Sequence, residues 1–147
     1  MIAKLENDII NVYNEKNLLL GGIKTQAEFK NAEIKIGQKT LQLSRNKWET
    51  EILENGKVIY NLKTNSFSGN TKIQETEYIV AGVWGLKWGT KLMDKKNNTL
   101  LKIRNDNQFN NTNKFEIELS DTKATDLDIL ITLYVHLYVS NMKQKGA

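Results

Sequence analysis

The sequence contains no cysteine, no proline and no long uninterrupted apolar segment. Without cysteine, disulfides and thiolate metal sites are excluded, which fits a reducing compartment, so we expect a cytoplasmic location. Residues 1–14 carry Lys4, Glu6 and Asp8 and lack the apolar centre of a signal peptide. The most apolar stretch, residues 129–139, would cover about half of a bilayer's hydrocarbon thickness as a helix. We therefore expect a buried helix there and no transmembrane span.

The bulk composition is that of one globular domain covering residues 1–147, with 39% apolar and 26% charged residues. The net charge of +4 comes almost entirely from lysine, since Arg45 and Arg104 are the only arginines. Because the lysines are scattered among acidic residues, we expect a solvated surface and no sequence-specific nucleic-acid partner. An anionic membrane surface or a protein remains open as the partner. Abundant Asn and Lys without Pro are typical of proteins from AT-rich bacterial genomes.

The first 120 residues predict short strands separated by turns. The strongest turn signals are Asn55-Gly56, which tolerates positive φ at both positions, and the polar segment 94–98. Residues 115–119 alternate strictly between apolar and acidic, as in a strand with one buried face. The predicted strands are residues 9–13, 18–23, 33–36, 40–44, 48–53, 57–62, 67–73, 78–83, 86–93, 99–103 and 115–119.

The C-terminal segment predicts a helix over residues 125–142. Thr125 is a good N-cap, and Asp128 three positions later completes an approximate capping box. Apolar residues cover almost the whole circumference, which is typical of a helix buried on all sides. A narrow stripe at four-residue spacing, Asp128, Thr132, His136 and Ser140, is the exception. Enclosure on all sides predicts an antiparallel β-barrel of about ten to twelve strands that encloses or packs on this helix.

Residues capable of chemistry are few and have structural explanations. His136 is the only histidine and lies among core residues, so we interpret it as a hydrogen-bonded core histidine. The carboxylate pair Asp126 and Asp128 belongs to the helix start, and Glu116 and Glu118 occupy the outward face of a strand. The Asn-rich residues 105–113 lack the glycine and acidic spacing of a calcium loop. The sequence predicts no catalytic residue, no metal and no cofactor, and we expect no enzymatic activity.

The most unusual local segment is residues 82–91, which combines two tryptophans, three glycines and two lysines. Tryptophan beside lysine suits a ligand-contacting or interfacial surface, because the ring is amphipathic and the amine attracts anions. Candidate ligand-binding residues are therefore Trp84, Lys87, Trp88 and Lys91. The alternative is a kinked barrel strand with glycine at the bend and tryptophan in the core.

The apolar terminal helix directly after the strand at 115–119, together with two similar hairpins at 53–59 and 93–101, resembles the tubby C-terminal-like superfamily. That superfamily includes the LURP-one-related proteins and phospholipid scramblases. The resemblance implies a twelve-stranded barrel around a hydrophobic C-terminal helix. The chain shows no matching phosphoinositide-site residues, no scramblase calcium motif and no cysteine for palmitoylation, so an activity does not carry over with the fold.

These observations favour a non-enzymatic binding module for anionic lipid head groups or a protein partner. One alternative is a small-ligand carrier of lipocalin-like barrel type, and another is a structural role. The helix discriminates between the first two, because a barrel filled by a helix leaves no room for an internal ligand.

Overall fold

The computed structural model describes residues 1–26, 29–83, 89–106, 113–120 and 123–146, with side chains described throughout except at residues 83 and 142–146. The described residues form twelve β-strands and one α-helix. In chain order these are β1 (Ile2–Glu6), β2 (Ile9–Tyr13), β3 (Leu19–Thr25), β4 (Asn31–Ile36), β5 (Lys39–Asn46), β6 (Glu49–Glu54), β7 (Lys57–Thr64), β8 (Thr71–Ile73), β9 (Ile79–Val83), β10 (Gly89–Met93), β11 (Thr99–Asn105), β12 (Lys114–Leu119) and α1 (Asp126–Gly146).

The twelve strands form a closed antiparallel barrel in which each strand pairs with its neighbours in sequence. The barrel closes where β1 pairs with β12, in a register that places Ile2 opposite Glu116. Since all neighbours are antiparallel, successive connections alternate between the two ends of the barrel. Closure removes the exposed strand edges that an open sheet would present.

Helix α1 occupies the barrel interior. Its residues 129–136, 138 and 139 are buried on every side, and the inward side chains of the strands surround them. The helix packs closely on β3 at Gly21, where an added Cβ would lie 2.8 Å from Leu130 Cδ1. The predicted barrel around an enclosed helix is confirmed.

The helix start confirms the predicted capping box. Thr125 Oγ1 accepts a hydrogen bond from the Asp128 N–H at 3.1 Å, and Asp128 Oδ2 accepts one from the Thr125 N–H at 2.9 Å. The predicted C-terminal boundary at residue 142 is wrong, because the helix continues to Gly146. Residues 143–145 are Lys-Gln-Lys, all good helix formers, so nothing in the sequence stops the helix earlier.

The two predicted hairpins are present and follow their turn chemistry. Asn55 and Gly56 have φ values of 52° and 79°, which allows the two-residue turn between β6 and β7. In the second hairpin Asp94 Oδ1 accepts hydrogen bonds from the Lys96 and Asn98 N–H groups, both at 2.9 Å. These side-chain bonds explain how the longer turn between β10 and β11 is held.

Two strand predictions are corrected. Residues 67–73 were expected to form one strand, but only Thr71–Ile73 do, because Asn65 Oδ1 accepts the N–H groups of Phe67 and Ser68 and folds the preceding residues into a turn. Strand β1 was not predicted. Asn7, with φ 56°, forms the turn that pairs β1 with β2.

Of the predicted strand at 86–93, the structure shows Gly89–Met93. Residues 86–88 lie outside the described residues, as do residues 107–112 of the Asn-rich stretch. Within the part of the chain that the structure describes, no helix combines the length and apolarity needed to cross a membrane.

Candidate functional site

Of the four predicted ligand-binding residues, the structure places one. Trp84, Lys87 and Trp88 lie outside the described residues. Lys91 lies half-buried on the outer face of β10, where its Cα partners are Lys102 in β11 and Ala81 in β9. Its outward direction follows from the strand's alternation, since the neighbouring Thr90 and Leu92 are buried inside the barrel.

Lys91 lines a groove of about 640 Å³ on the outer surface of β10, β11, β12 and β1. The groove has cationic residues along β10, β11 and β12, acidic residues mainly on β12, and an apolar edge supplied by the start of the chain. We call it the outer groove. Its charged lining residues are Lys91, Lys102, Arg104, Lys114, Asp106, Glu116 and Glu118, and its apolar edge is Met1 and Ile2.

The charges of the outer groove are only partly compensated. Arg104 and Glu116 form an ion pair across β11 and β12, with Arg104 Nη2 at 2.5 Å from Glu116 Oε2. Lys91 and Lys102 lie directly opposite each other, and Lys102 also lies opposite Glu118 in β12. Among the described residues, neither lysine forms an ion pair within 4 Å with a carboxylate. Like charges in direct cross-strand opposition are destabilising. Such a pair attracts an anion that would relieve the repulsion.

A buried hydrogen-bond network lies behind the groove and connects its wall to the helix. His136 Nε2 lies 2.7 Å from Asn105 Oδ1, and His136 Nδ1 lies 2.6 Å from Thr90 Oγ1. Because the side-chain amide oxygen of Asn105, Oδ1, can only accept a hydrogen bond, Nε2 carries the proton and Nδ1 accepts from the Thr90 hydroxyl. The Phe115 ring packs against the imidazole in an edge-to-face arrangement, with the two ring centroids 5.7 Å apart.

His136 is therefore a hydrogen-bonded core histidine, as predicted. Burial lowers its pKa from 6.5 to about 4, so the ring is neutral near pH 7. The rest of the polar stripe is also explained. Asp128 caps the helix, Thr132 Oγ1 donates to the Asp128 carbonyl oxygen at 2.7 Å, and Ser140 is exposed.

A second buried polar cluster joins the helix to the strands on another side of the barrel. The Tyr138 hydroxyl bonds to Thr64 Oγ1, which in turn lies 2.7 Å from Thr71 Oγ1. The Tyr134 hydroxyl donates to the Phe29 carbonyl oxygen at 3.2 Å, and burial raises the pKa of Tyr134 to about 12. Among the described residues these hydroxyls bond to one another or to a backbone carbonyl oxygen, and these contacts fix the helix against the strands.

The carboxylates that the sequence pairs, Glu116 and Glu118, can be placed in the described part of the structure. Within the described ranges, no group of three or more His, Asp or Glu side chains is placed to hold a metal ion. Glu116 and Glu118 lie on the outward face of β12 and Phe115 and Ile117 are buried on its inward face, as predicted, whereas Leu119, also expected on the inward face, is 39% exposed at the end of the strand. In the same ranges, every buried polar side-chain atom has a hydrogen-bond partner.

The sequence did not predict the partners of Lys91 in the groove. Lys102, Arg104 and Lys114 come from strands that follow Lys91 in the chain, and only the barrel brings them together. A usable signal was present in β11, where Lys102 and Arg104 alternate with the buried Leu101 and Ile103. That alternation marks two cations on one outward face.

The geometry defines a class of protein, a closed twelve-stranded barrel with its C-terminal helix inside and a charged groove on its outer surface. No family model matches the sequence, and no curated protein matches it either. Among solved structures, the chain is similar to the X-ray structure of the Arabidopsis thaliana protein AT5G01750, with a TM-score of 0.62. The likeness covers 95% of this chain and 90% of that one at 13% sequence identity, and it shows a shared fold.

Proposed function

We propose that the chain is a non-enzymatic binding module that recognises anionic lipid head groups through the outer groove. The observation that carries the proposal is the opposed pair Lys91 and Lys102, which lies in a groove large enough for a head group. Glu118 lies opposite Lys102 in β12, but neither lysine forms an ion pair within 4 Å with a described carboxylate. Lys114 adds a third cation on β12. Head-group phosphates or carboxylates would offset this charge.

Family membership is part of this proposal. The barrel around a hydrophobic C-terminal helix is the architecture that the tubby-like resemblance implies, and the likeness to the Arabidopsis structure agrees with it at the level of fold. We propose that the chain belongs to that superfamily because of its fold, and the sequence identity of 13% adds no support. Trp84, Lys87 and Trp88 remain predicted ligand contacts from the sequence, in which tryptophan stands next to lysine just before Gly89 and Lys91.

The position of the helix argues against an internal ligand carrier. A lipocalin-like barrel needs an open interior, whereas here helix residues such as Leu130, Leu133 and Tyr134 are fully buried inside the barrel. A ligand therefore has to bind on the outside. Anionic lipid is enriched on the cytoplasmic leaflet, which agrees with the expected cytoplasmic location.

Vesicle co-sedimentation tests the proposal. We expect the wild-type protein to bind phosphatidylcholine vesicles more strongly as their phosphatidylserine content rises, and less strongly as salt is added. The double variant Lys91→Glu with Lys102→Glu should bind at least about tenfold more weakly, since each lysine near an anionic surface contributes about 1 kcal/mol.

The matched control is Lys35→Glu with Lys57→Glu, which makes the same charge change at exposed positions on β4 and β7, away from the groove. This variant should retain most of the wild-type binding. Equal losses in the two double variants would mean that net charge alone decides binding and would remove the groove from the proposal. Absence of wild-type binding to every anionic vesicle would end the lipid proposal and leave a protein ligand as the alternative.

A further inference from the structure

Phe67 is the most exposed large apolar side chain among the described residues, with 95% of its surface accessible. It lies in the connection between β7 and β8, and this connection is held in one shape. Asn65 Oδ1 accepts the N–H groups of Phe67 at 2.8 Å and Ser68 at 3.1 Å, and the Gly69 N–H donates to the Asn65 carbonyl oxygen at 2.8 Å. The fold thus presents the ring to solvent from a hydrogen-bonded turn.

The position of this turn follows from the alternation of connections around the barrel. The end of β7 shares one end of the barrel with the ends of β5, β9 and β11 and with the C-terminal end of α1. A hydrogen bond of 2.8 Å from the Thr64 N–H to the Trp48 carbonyl oxygen ties β7 to the β5–β6 connection there. We call this the Phe67 end. Gly89 and Lys114, which line the outer groove, lie at the starts of β10 and β12 and therefore at the same end.

The charges around Phe67 are mainly positive. Lys63 and Lys72 are Cα partners at the base of the turn, and Lys47 lies beside Trp48 in the neighbouring connection. Among the described acidic residues, Glu49 lies 3.8 Å from Lys63 and offsets that lysine, whereas Asp8 and Asp106 belong to other connections at this end. An exposed apolar ring above unbalanced lysines complements an anionic bilayer, whose head groups attract the amines while the ring enters the acyl boundary.

The opposite end of the barrel also carries exposed apolar residues, but it lacks this charge pattern. Leu18, 60% exposed, lies in the β2–β3 connection near one acid, Glu15, and one base, Lys16, and the next residue, Leu19, is 59% exposed. Because the local charges cancel, an anionic surface gains nothing there. Leu18 is therefore a control for Phe67: it is an exposed apolar residue on a turn without a local surplus of positive charge.

We infer that the barrel docks end-on, with the Phe67 end against an anionic bilayer and Phe67 inserted as an apolar anchor. The inference rests on the proposed function and specifies the docking geometry of the same module. In this orientation the part of the outer groove lined by Gly89 and Lys114 lies at the level of the lipid head groups. The ring and the groove would then contact one membrane at the same time.

Site-specific labelling tests the orientation. Because the chain has no native cysteine, a single introduced cysteine is the only thiol that the label can modify. Phe67→Cys and Leu18→Cys are each labelled with a nitrobenzoxadiazole fluorophore and mixed with phosphatidylcholine vesicles that contain or lack phosphatidylserine. We expect a blue shift and increased emission at position 67 with the anionic vesicles, and unchanged emission at position 18. A response at position 18 and none at position 67 would reverse the orientation and overturn the inference.

Unlabelled variants measure the contribution of the ring. Phe67→Ser should weaken co-sedimentation with anionic vesicles by about tenfold, because a Phe side chain that enters the acyl boundary is removed from water. Leu18→Ser should bind as the wild type does, and both variants should keep the wild-type melting temperature, since both positions are exposed.

The two proposals fail in different ways. If Phe67→Ser binds like the wild type while the Lys91→Glu, Lys102→Glu protein does not bind, the groove proposal stands and the end-on anchor is overturned. If the wild-type protein ignores anionic vesicles altogether, the proposed function is wrong and the anchor falls with it.

Discussion

At the scale of single residues, the barrel interior is notable for how its polar groups are paired. His136 uses both ring nitrogens, one to Thr90 and one to Asn105, and so fixes the helix against two strands at once. Tyr138 makes a similar connection on another side through Thr64. A different rotation of the helix would bury these groups without partners, which is costly. The polar contacts thus select one orientation for a helix that is apolar all round.

The buried imidazole makes stability depend on pH. The unfolded chain titrates near the ordinary histidine value of 6.5, whereas the folded protein has a His136 pKa of about 4. Between these values the unfolded state binds more protons, so the free energy of unfolding falls as the pH is lowered from about 7 to about 4. The expected loss from this group is on the order of 3 kcal/mol, at about 1.4 kcal/mol for each unit of pKa difference.

Urea unfolding of wild type and His136→Gln, followed from pH 7 to pH 4, measures this effect. The variant should be less stable at pH 7, because glutamine cannot satisfy Thr90 and Asn105 in the same geometry. The difference in stability between the two proteins should shrink as the pH falls, because only the wild type carries the imidazole whose protonation favours unfolding. The residues that contact the imidazole, Thr90, Asn105 and Phe115, are not ionisable and add no pH dependence of their own. Parallel pH profiles would show that His136 does not carry the dependence.

The sequence predicted the state of His136 but could not predict its partners. A lone histidine among apolar helix residues indicates burial and a hydrogen bond. Thr90 and Asn105 lie 46 and 31 residues away along the chain, and no local pattern marks them. Only the register of β10 and β11 against the helix determines that they meet.

At the scale of elements, the contact between β3 and α1 requires a residue without a side chain. A Cβ at Gly21 would lie 2.5 Å from the Lys35 carbonyl oxygen and 2.8 Å from Leu130 Cδ1. The first of these atoms is backbone, so relief needs a shift of β4 against β3. We expect Gly21→Ala to lower the free energy of unfolding by about 1–3 kcal/mol, the usual range for overpacking.

Gly82→Ala is the control, because a Cβ at this β9 position meets no described atom within 4 Å. Thermal or urea unfolding of this variant should match the wild type or show slightly higher stability, since alanine restricts the unfolded chain more than glycine does. Equal stability of the two alanine variants would contradict the close packing of β3 on the helix.

The elements show which parts of a fold a sequence encodes locally. The hairpins at Asn55-Gly56 and at residues 94–98 were predictable because their turns depend on residues within the turn itself. The missed strand β1 and the shortened β8 depend on Asn7 and Asn65, whose turn-forming roles were not recognised from the sequence. In both cases a local side-chain or backbone preference of asparagine decides where the strand ends or begins.

At the scale of the whole molecule, the apolar circumference of the helix predicted its enclosure by strands. The sequence did not show how the barrel closes. Closure depends on the pairing of Ile2 with Glu116, which are separated by most of the length of the chain. The outer groove depends on that closure, since β1 and β12 both line it. The candidate site therefore became visible only with the complete barrel, although Lys91 was already a candidate from the sequence.

The enclosed helix is the element on which the whole barrel depends. Leu133 is completely buried at its centre, so Leu133→Asp places a carboxylate inside the barrel with no described cation to pair with it. An unpaired buried charge costs several kcal/mol, which is comparable to the total stability of 5–15 kcal/mol typical of a domain. We expect this variant to be insoluble or to lose the β-type far-UV circular dichroism spectrum.

Ser140→Asp changes the same helix at an exposed position and should remain folded. A folded Leu133→Asp protein with wild-type circular dichroism and a cooperative melt would contradict the position of the helix inside the barrel.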